Sequence, residues 1–577
     1  MKLPSKSSVF YPLLLFFIPF ITYLRTLSGG FVWDDYRVIH DASALLSPFS
    51  INRIPYVDGF YRPIASISLQ LDYLVWGMNP FGYHLTNLII HSLSVVLLFA
   101  VLKRIVRVET AFFAALLFGV HPAVSEVVSW VSCRFDLLTL LFALLAMYCL
   151  LLYLERGKKT IIFPVVVFAL FSLLSKETGI VLILLLPAIV FFYKRDSLKP
   201  LYFLSSLLAA ILLVFFFTLG DKILARYDHW GDALVAGIKL FGLYIYKVFS
   251  WNYLVPYNAC LFAELGSRTV VFSGLFLLVL IVLSGIAIRK RETLGLGAIW
   301  FAVALIPGIY ISLSNWYRLP GADRFLYSAL PGFALLFVCL SYRLLNRKAL
   351  YLSVLLIPVM MFVSYQKAGV WSSPYTLWRE ASEKCGNRWT YPLTNYASAA
   401  LHVNPDESED LFNMLITGIK QGRLKSIYPA ENELDLLVGL TKMGGIKEMK
   451  KEYGEAEKYY VEALKDYNRL IRDYPRITKW DLADVNYNIA RFYYNKSLRE
   501  NNKTSLPLAL QQIDLAVKYR GSQLKYRRMR YYILFQMGRC NEAIDAVNDL
   551  LTIYEGDRDI LRDLYRITKA CKGQKFR

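Results

Sequence analysis

Two adjacent carboxylates, Asp34 and Asp35, stand in GGFVWDDYR just beyond an apolar run. Side by side they repel, and near a bilayer each is costly to desolvate, so such a pair is either solvated or given a task. Other ionisable residues gather at the ends of apolar segments. Arg62 is one. HPAVSEVVSWVSCRFDLL holds His121, Glu126, Arg134 and Asp136, LLSKETG holds Lys176 and Glu177, and LPGADRFLYSALPG holds Asp323, Arg324 and Tyr327. His84, Asn87 and His91 in YHLTNLIIH share one helix face at i, i+3 and i+7. A carboxylate within hydrogen-bond reach can take the proton of an attacking hydroxyl. Arginine and lysine beside it suit a phosphate at the membrane surface. Taken singly, each group reads as a solvated ion pair, and the histidine face as interhelical hydrogen bonding. The recurrence of a cation beside an acid favours one shared polar site.

The elements that must position these residues are membrane helices. Of 577 residues 56% are hydrophobic, and the mean hydropathy is +0.40, too apolar for an ordinary soluble protein. The apolar content lies in separate blocks near the length of a spanning helix. The N-terminus resembles a signal peptide, with Lys2 and Lys6 before an apolar run from Val9 to Leu24, yet Arg25 follows without a small-residue cleavage pattern. It reads as an uncleaved first helix with its basic end in the cytoplasm. Placing the basic clusters around Lys103, Lys158, Lys194, Lys290 and Arg347 inside gives about eleven spans. The segment 232–250 is apolar enough to span, but counting it would send Arg289–Arg291 outside, so it is expected to be re-entrant or interfacial. The loop 26–82, with Asp34 and Asp35, then faces outward, as does everything after the last span.

The expected fold is all-α. Residues 1–365 form a polytopic transmembrane domain, and 366–577 form a soluble, extracytoplasmic α-solenoid. In the tail, EYGEAEKYYVEALKDY and YYILFQMGRCNEAIDAVNDLL place small residues much as tetratricopeptide-like hairpins do, with irregular spacing. DVNYNIARFYYNKSLRENNKTSLPLALQQIDLAVKY reads as a whole hairpin with an enlarged turn. Such a solenoid would engage an acceptor protein or glycan. KYRRMRYY could meet an acidic partner or an anionic glycan, or be a solvated basic helix with its tyrosines packed inward. The net charge of +21 reflects topology signals, and no nucleic acid partner is expected. Seven cysteines without a CxxC or a His/Cys cluster argue against zinc and against a dense disulfide framework. They leave room for a single tail pair among Cys385, Cys540 and Cys571.

Taken in order, FVWDD, YRPIASIS, NPFGYHLTNLIIH, HPAVSEVVSWVSCRFDLL, SKET and ADRFLY resemble the membrane half of the transmembrane, tetratricopeptide-repeat O-mannosyltransferases and their bacterial relatives. These are GT-C glycosyltransferases, and the likeness runs over most of 28–330. It implies a polyprenyl-phosphate sugar donor in the bilayer and a hydroxyl acceptor. It also implies a general base in the first outer loop, at Asp34 or Asp35, with Asp34 preferred. A single displacement would invert the anomeric carbon. Arg62, Arg134, Lys176 and Arg324 would meet the leaving phosphate. His84, His91, His121, Glu126, Glu177, Asp323 and Tyr327 would line the substrate site. A divalent cation, Mg or Mn, could be shared by Asp35 and Glu126. The same resemblance suggests a bacterial inner membrane. The competing readings are a non-catalytic membrane-anchored repeat scaffold for envelope assembly and a lipid-linked glycan ligase. A transporter would more often show inverted halves, and no internal duplication is evident.

Overall fold

A computed structural model describes residues 7–43, 56–57, 60–193, 230–290, 292–313, 320–346, 348–426, 429–474, 479–521, 523–553 and 558–574. Among the described residues the regular elements are helices, apart from a short antiparallel ribbon that pairs Tyr56–Val57 with Phe60–Tyr61. It divides into two compact units, Met1–Cys385 and Gly386–Arg577.

The first unit contains α1 (Ser7–Thr22), α2 (Asp35–Ser43), α3 (Pro63–Trp76), α4 (Pro80–Leu102), α5 (Val108–Val120), α6 (Ser125–Ser129), α7 (Arg134–Arg156), α8 (Ile162–Ser175) and α9 (Leu182–Tyr193). It continues with α10 (Trp230–Phe249), α11 (Ala259–Glu264), α12 (Ser267–Lys290), α13 (Thr293–Leu313), α14 (Leu330–Leu345), α15 (Lys348–Val370) and α16 (Pro374–Lys384). Among the described residues four helices are long and apolar enough to cross a membrane, or up to six if each of two bent pairs is one span. The chain is an integral membrane protein. The span expected near 200–219 lies outside the described residues. The segment expected to be re-entrant or interfacial is one unbroken helix, α10, and it is not among those four.

Small residues set the close approaches. A Cβ on Gly297 of α13 would lie 2.7 Å from Leu336 N, and one on Gly332 of α14 would lie 2.5 Å from Phe301 N. Only glycine lets these two backbones cross so tightly, the usual route to helix association where lipid removes the hydrophobic drive.

The break between α5 and α7 carries much of the predicted chemistry. Pro122 has no N–H to continue α5, and His121 Nδ1 accepts from Ala123 N at 3.1 Å, capping a new turn. The chain bends there by 52° and passes through α6 before α7 begins. The bent pair has the geometry of a broken span or of a re-entrant loop, followed by the separate long helix that ends at Arg156.

The second unit runs from α17 (Thr390–Ala400) through α18 (Pro405–Lys420), α19 (Pro429–Met449), α20 (Tyr453–Asp473), α21 (Lys479–Arg499), α22 (Leu506–Tyr519), α23 (Leu524–Gln536) and α24 (Cys540–Ile553) to α25 (Arg558–Gln574). Consecutive helices pack in pairs around a continuous core that includes Leu437, Ala456, Tyr460, Ala463, Ile489, Ala509 and Ala516. Each alanine lets a neighbouring helix come close. The hairpin α21–α22 has the enlarged turn its sequence suggested, holding a short 3₁₀ turn at Lys503–Ser505.

There are two disulfides, not one. Cys540 pairs with Cys571, joining α24 to α25. Cys385 pairs with Cys260, a partner 125 residues earlier that nothing in the sequence indicates.

Candidate functional site

The aspartate loop starts where α1 gives way to a 3₁₀ turn, Leu24–Ser28, and then to Gly29 and Gly30. Trp33 takes a left-handed backbone, φ 55°. For a bulky residue this costs roughly 1–2 kcal/mol and persists only when its surroundings enforce it. Asp35 opens α2, where a carboxylate faces the positive helix end.

The two acids are not equivalent. Asp35 is fully buried. Its Oδ1 accepts from Ser132 N at 2.8 Å and Ser132 Oγ at 2.6 Å, and its Oδ2 accepts from Val32 N at 2.9 Å. It staples the aspartate loop to the turn between α6 and α7. Burial, followed by the neighbouring Asp34 charge, pushes its carboxyl up to about 7. Asp34 is a quarter exposed, with Arg37 Nη2 at 3.7 Å. Of the pair, Asp34 is the one open to the outside of the loop.

The predicted cations are each paired. Arg62 Nη2 donates to Glu177 Oε1 at 2.6 Å and Arg62 Nε to Oε2 at 3.0 Å, tying the start of α3 to the turn before α9. Lys176 Nζ donates to both oxygens of Asp136, at 2.7 and 2.8 Å. Arg324 Nη1 donates to Glu126 Oε1 at 2.6 Å, and its guanidinium lies 5.1 Å from the Trp130 ring centre.

Arg134 is fully buried and spoken for on all three nitrogens. It donates to Asp72 Oδ2 at 2.7 Å, Ser68 Oγ at 2.8 Å, Tyr83 O at 2.9 Å and also to Asn87 Oδ1. A guanidinium in that state pins α3 and α4 to α7, with little left for a ligand.

The histidines are hydrogen-bonded within the fold. His91 Nε2 lies 3.0 Å from Gly119 O, and its Nδ1 lies 3.1 Å from Tyr327 Oη. His84 Nε2 lies 3.3 Å from Gly30 O. Asn87, on the same face, donates to Trp130 O at 3.1 Å. His84 and Asn87 thus reach loop and turn carbonyls, and His91 reaches a helix carbonyl and the Tyr327 hydroxyl.

Asp323 meets a partner that sequence reasoning missed. Lys247 of α10 is fully buried and donates to Asp323 Oδ1, to Asn258 Oδ1 at 2.5 Å and to Gly321 O at 2.7 Å. Asp72 was missed as well. Both had a signal, a charge inside an apolar run, the same signal that exposed Arg134. Ser132 had none.

Asp35 and Glu126 hold different partners, and among the described residues no group of three His, Cys, Asp or Glu is placed to bind a metal. In the second unit KYRRMRYY is largely absorbed internally. Lys525 pairs with Asp484, Arg528 with Asp563 and Arg530 with Asp514, while Tyr526 and Tyr531 are buried.

An all-helical membrane unit with a belt of buried ion pairs beside an aspartate loop fits a polytopic enzyme better than a passive anchor. Residues 63–218 match the family described as dolichyl-phosphate-mannose-protein mannosyltransferase. The chain is 34% identical over 181 residues to the protein O-mannosyl-transferase Tmtc1 of Drosophila melanogaster, covering 29% of this chain and 21% of the relative. It is 25% identical over 404 residues to the protein O-mannosyl-transferase F38B6.6 of Caenorhabditis elegans, covering 65% of this chain and 57% of that one. Against human TMTC3, also a protein O-mannosyl-transferase, it is 25% identical over 468 residues, 67% of this chain and 50% of the relative. The chain spans between about a fifth and just over half the length of these curated relatives. The likeness is that of a GT-C glycosyltransferase, as the ordered motifs suggested.

Proposed function

We propose that this protein transfers a sugar, with inversion, from a polyprenyl-phosphate donor to a hydroxyl acceptor at the outer membrane surface. The observation that carries the reading is the division of labour between Asp34 and Asp35. One acid is open and next to the strained Trp33, while the other is buried and spends three hydrogen bonds fixing the loop. Asp34 would accept the acceptor hydroxyl's proton as that oxygen bonds to the anomeric carbon. The bond from that carbon to the phosphate oxygen breaks, and the lipid phosphate leaves with the electron pair. Asp35 holds the loop and takes no proton from substrate.

Each of the four predicted cations is held by an acid, so a phosphate reaches one of them by displacing that acid. Arg62 and Arg324 keep 12% and 10% of their side-chain surface exposed and are better placed for that exchange than Arg134, which keeps none. The relatives' names make mannose the first sugar to test and protein Ser/Thr the first acceptor.

The outward orientation is supported by the two disulfides, which form in oxidising compartments. A bacterial inner membrane is the proposed setting. The second unit is read as a tetratricopeptide-like solenoid presenting the acceptor. A groove of about 450 Å³ between α18 and α20, lined by Asn413, Thr417, Lys420, Tyr459 and Glu462 among others, is a place for it.

The test pairs purified wild type with Asp34→Asn and Asp35→Asn, given polyprenyl-phosphate mannose and a Ser/Thr-rich peptide, with transfer followed by mass spectrometry. Asp34→Asn should lose about 10²–10⁴ in rate at unchanged melting temperature. Asp35→Asn should lose rate by loosening the loop, with a stability difference from wild type that changes with pH. Equal activity of wild type and Asp34→Asn would remove Asp34 as the base. Inactivity of all three while folded would favour the scaffold.

A further inference from the structure

The loop that carries Asp34 is held from the opposite end of the first unit's sequence. Gly30 N donates to Ser372 O at 2.8 Å. The Trp33 ring centre lies 4.7 Å from that of Trp378, 5.1 Å from Trp130 and 6.5 Å from Trp371. Trp130 and Trp371 are themselves stacked at 5.3 Å, and all three partners of Trp33 are buried.

Trp371 and Trp378 belong to the 110° corner between α15 and α16. That corner is built to stay put. Ser373 and Thr376 form a reciprocal capping box, with Thr376 N donating to Ser373 Oγ at 3.2 Å and Ser373 N to Thr376 Oγ1 at 3.1 Å. The far end of α16 is tied by Cys385 to Cys260. Trp33 lies in a turn that Asp35 N closes onto Val32 O, and the indole cluster is the side-chain constraint that acts on Trp33 itself at φ 55°.

We propose that Trp371 and Trp378 are positioning residues for Asp34. The corner locks the Trp33 indole, and through the peptide joining Trp33 to Asp34 it sets where the carboxylate stands. The proposal rests on the reading of Asp34 as base. Neither tryptophan is assigned to hold the donor, so the effect falls on turnover and not on donor affinity. A misplacement of about 1 Å costs up to about 10²-fold in rate.

The experiment uses the full chain in nanodiscs, as wild type, Trp378→Ala, Trp378→Phe and Asp34→Asn. Transfer from polyprenyl-phosphate mannose to a Ser/Thr-rich peptide gives kcat and KM, and amide hydrogen exchange reports on residues 29–38. Trp378→Ala should lower kcat about 10–100-fold with donor KM nearly unchanged. It should also speed exchange across 29–38 while α4 and α7 exchange as in wild type. Trp378→Phe should restore most of both. Should the alanine variant not accumulate, Trp378→Leu and Trp371→Phe carry the same comparison. Wild-type exchange in the loop of a Trp378→Ala protein, or a loss confined to KM, overturns the proposal. If wild type transfers neither mannose nor any other hexose offered on polyprenyl phosphate, the catalytic reading of Asp34 is what fails. The exchange measurement then still decides whether the corner holds the loop.

Discussion

In the membrane unit the Arg134 side chain has no exposed surface and Asp72 beside it keeps 10%, whereas in the second unit Lys450 keeps 38% and its partner Asp406 85%. Both are lysine or arginine beside an acid at hydrogen-bond distance, yet the physics differs. A pair taken out of water gains little net stability but is costly to break, because the survivor is left as an uncompensated buried charge. A pair left in water is screened and pays side-chain entropy, so it contributes little and breaks cheaply. The buried pairs of the first unit, Arg134–Asp72, Lys176–Asp136, Lys247–Asp323 and Arg324–Glu126, join different helices or turns. They fix which helices are neighbours. The charged surface of the second unit has no such duty.

The largest effect expected from breaking this contrast is at Arg134. Arg134→Met strands Asp72 and should cost about 3–5 kcal/mol, enough to prevent accumulation of folded protein. Arg134→Met with Asp72→Leu should recover most of that loss, because no charge is then left alone. Monodispersity and thermal midpoint of detergent-extracted protein, for both singles and the double, check it. A double as poor as the singles would show that the hydrogen bonds to Ser68, Asn87 and Tyr83 matter more than the pair.

A smaller effect is expected at Asp35, and its sign can be worked out. Its folded value, about 7, lies above the ordinary carboxylate value near 4. The folded state therefore binds the proton more tightly than the unfolded state, and Asp35's contribution is fully present below about pH 4. It is lost as pH rises through about 7. Wild type should lose thermal stability between pH 5 and pH 8 relative to Asp35→Asn, whose profile over that window should be flatter. Parallel profiles would mean that the three hydrogen bonds to Asp35 hold it ionised throughout.

These outcomes bear on what the sequence could disclose. Charges in apolar runs were visible because membrane burial makes them conspicuous, and that found Arg134, Glu126, Lys176 and Arg324. Applied without exception, it would also have found Asp72 and Lys247, which were passed over because LDYLVW and LYIYKVF sit in no recognised motif. Pairing was illegible. Nothing local tells Arg134 from Arg324, though one is saturated by four partners and the other lies against an indole. The bend at His121–Pro122 follows from the local sequence, because proline cannot continue a helix. The Trp33 cluster was not, since Trp371 and Trp378 lie more than three hundred residues downstream. Cys260–Cys385 was hidden for the same reason.

The smallest effect belongs to the second unit and tests the other half of the contrast. Arg469 Nη2 lies 2.6 Å from Glu433 Oε2, a geometry as good as that of Arg324 and Glu126, yet its side chain is 45% exposed. If distance governed, Arg469→Ala would cost as much as a break in the membrane unit. If burial governs, the loss is about 0.2–1 kcal/mol and shrinks with added salt, because water and counterions already screen the pair. The measurement is the unfolding midpoint of full-length Arg469→Ala at 0.05 M and 0.5 M salt, beside the Arg324→Ala protein. A salt-independent loss for Arg469→Ala of several kcal/mol would place this surface under the same rule as the membrane belt. It would then have to be counted among the ties that hold α19 against α20.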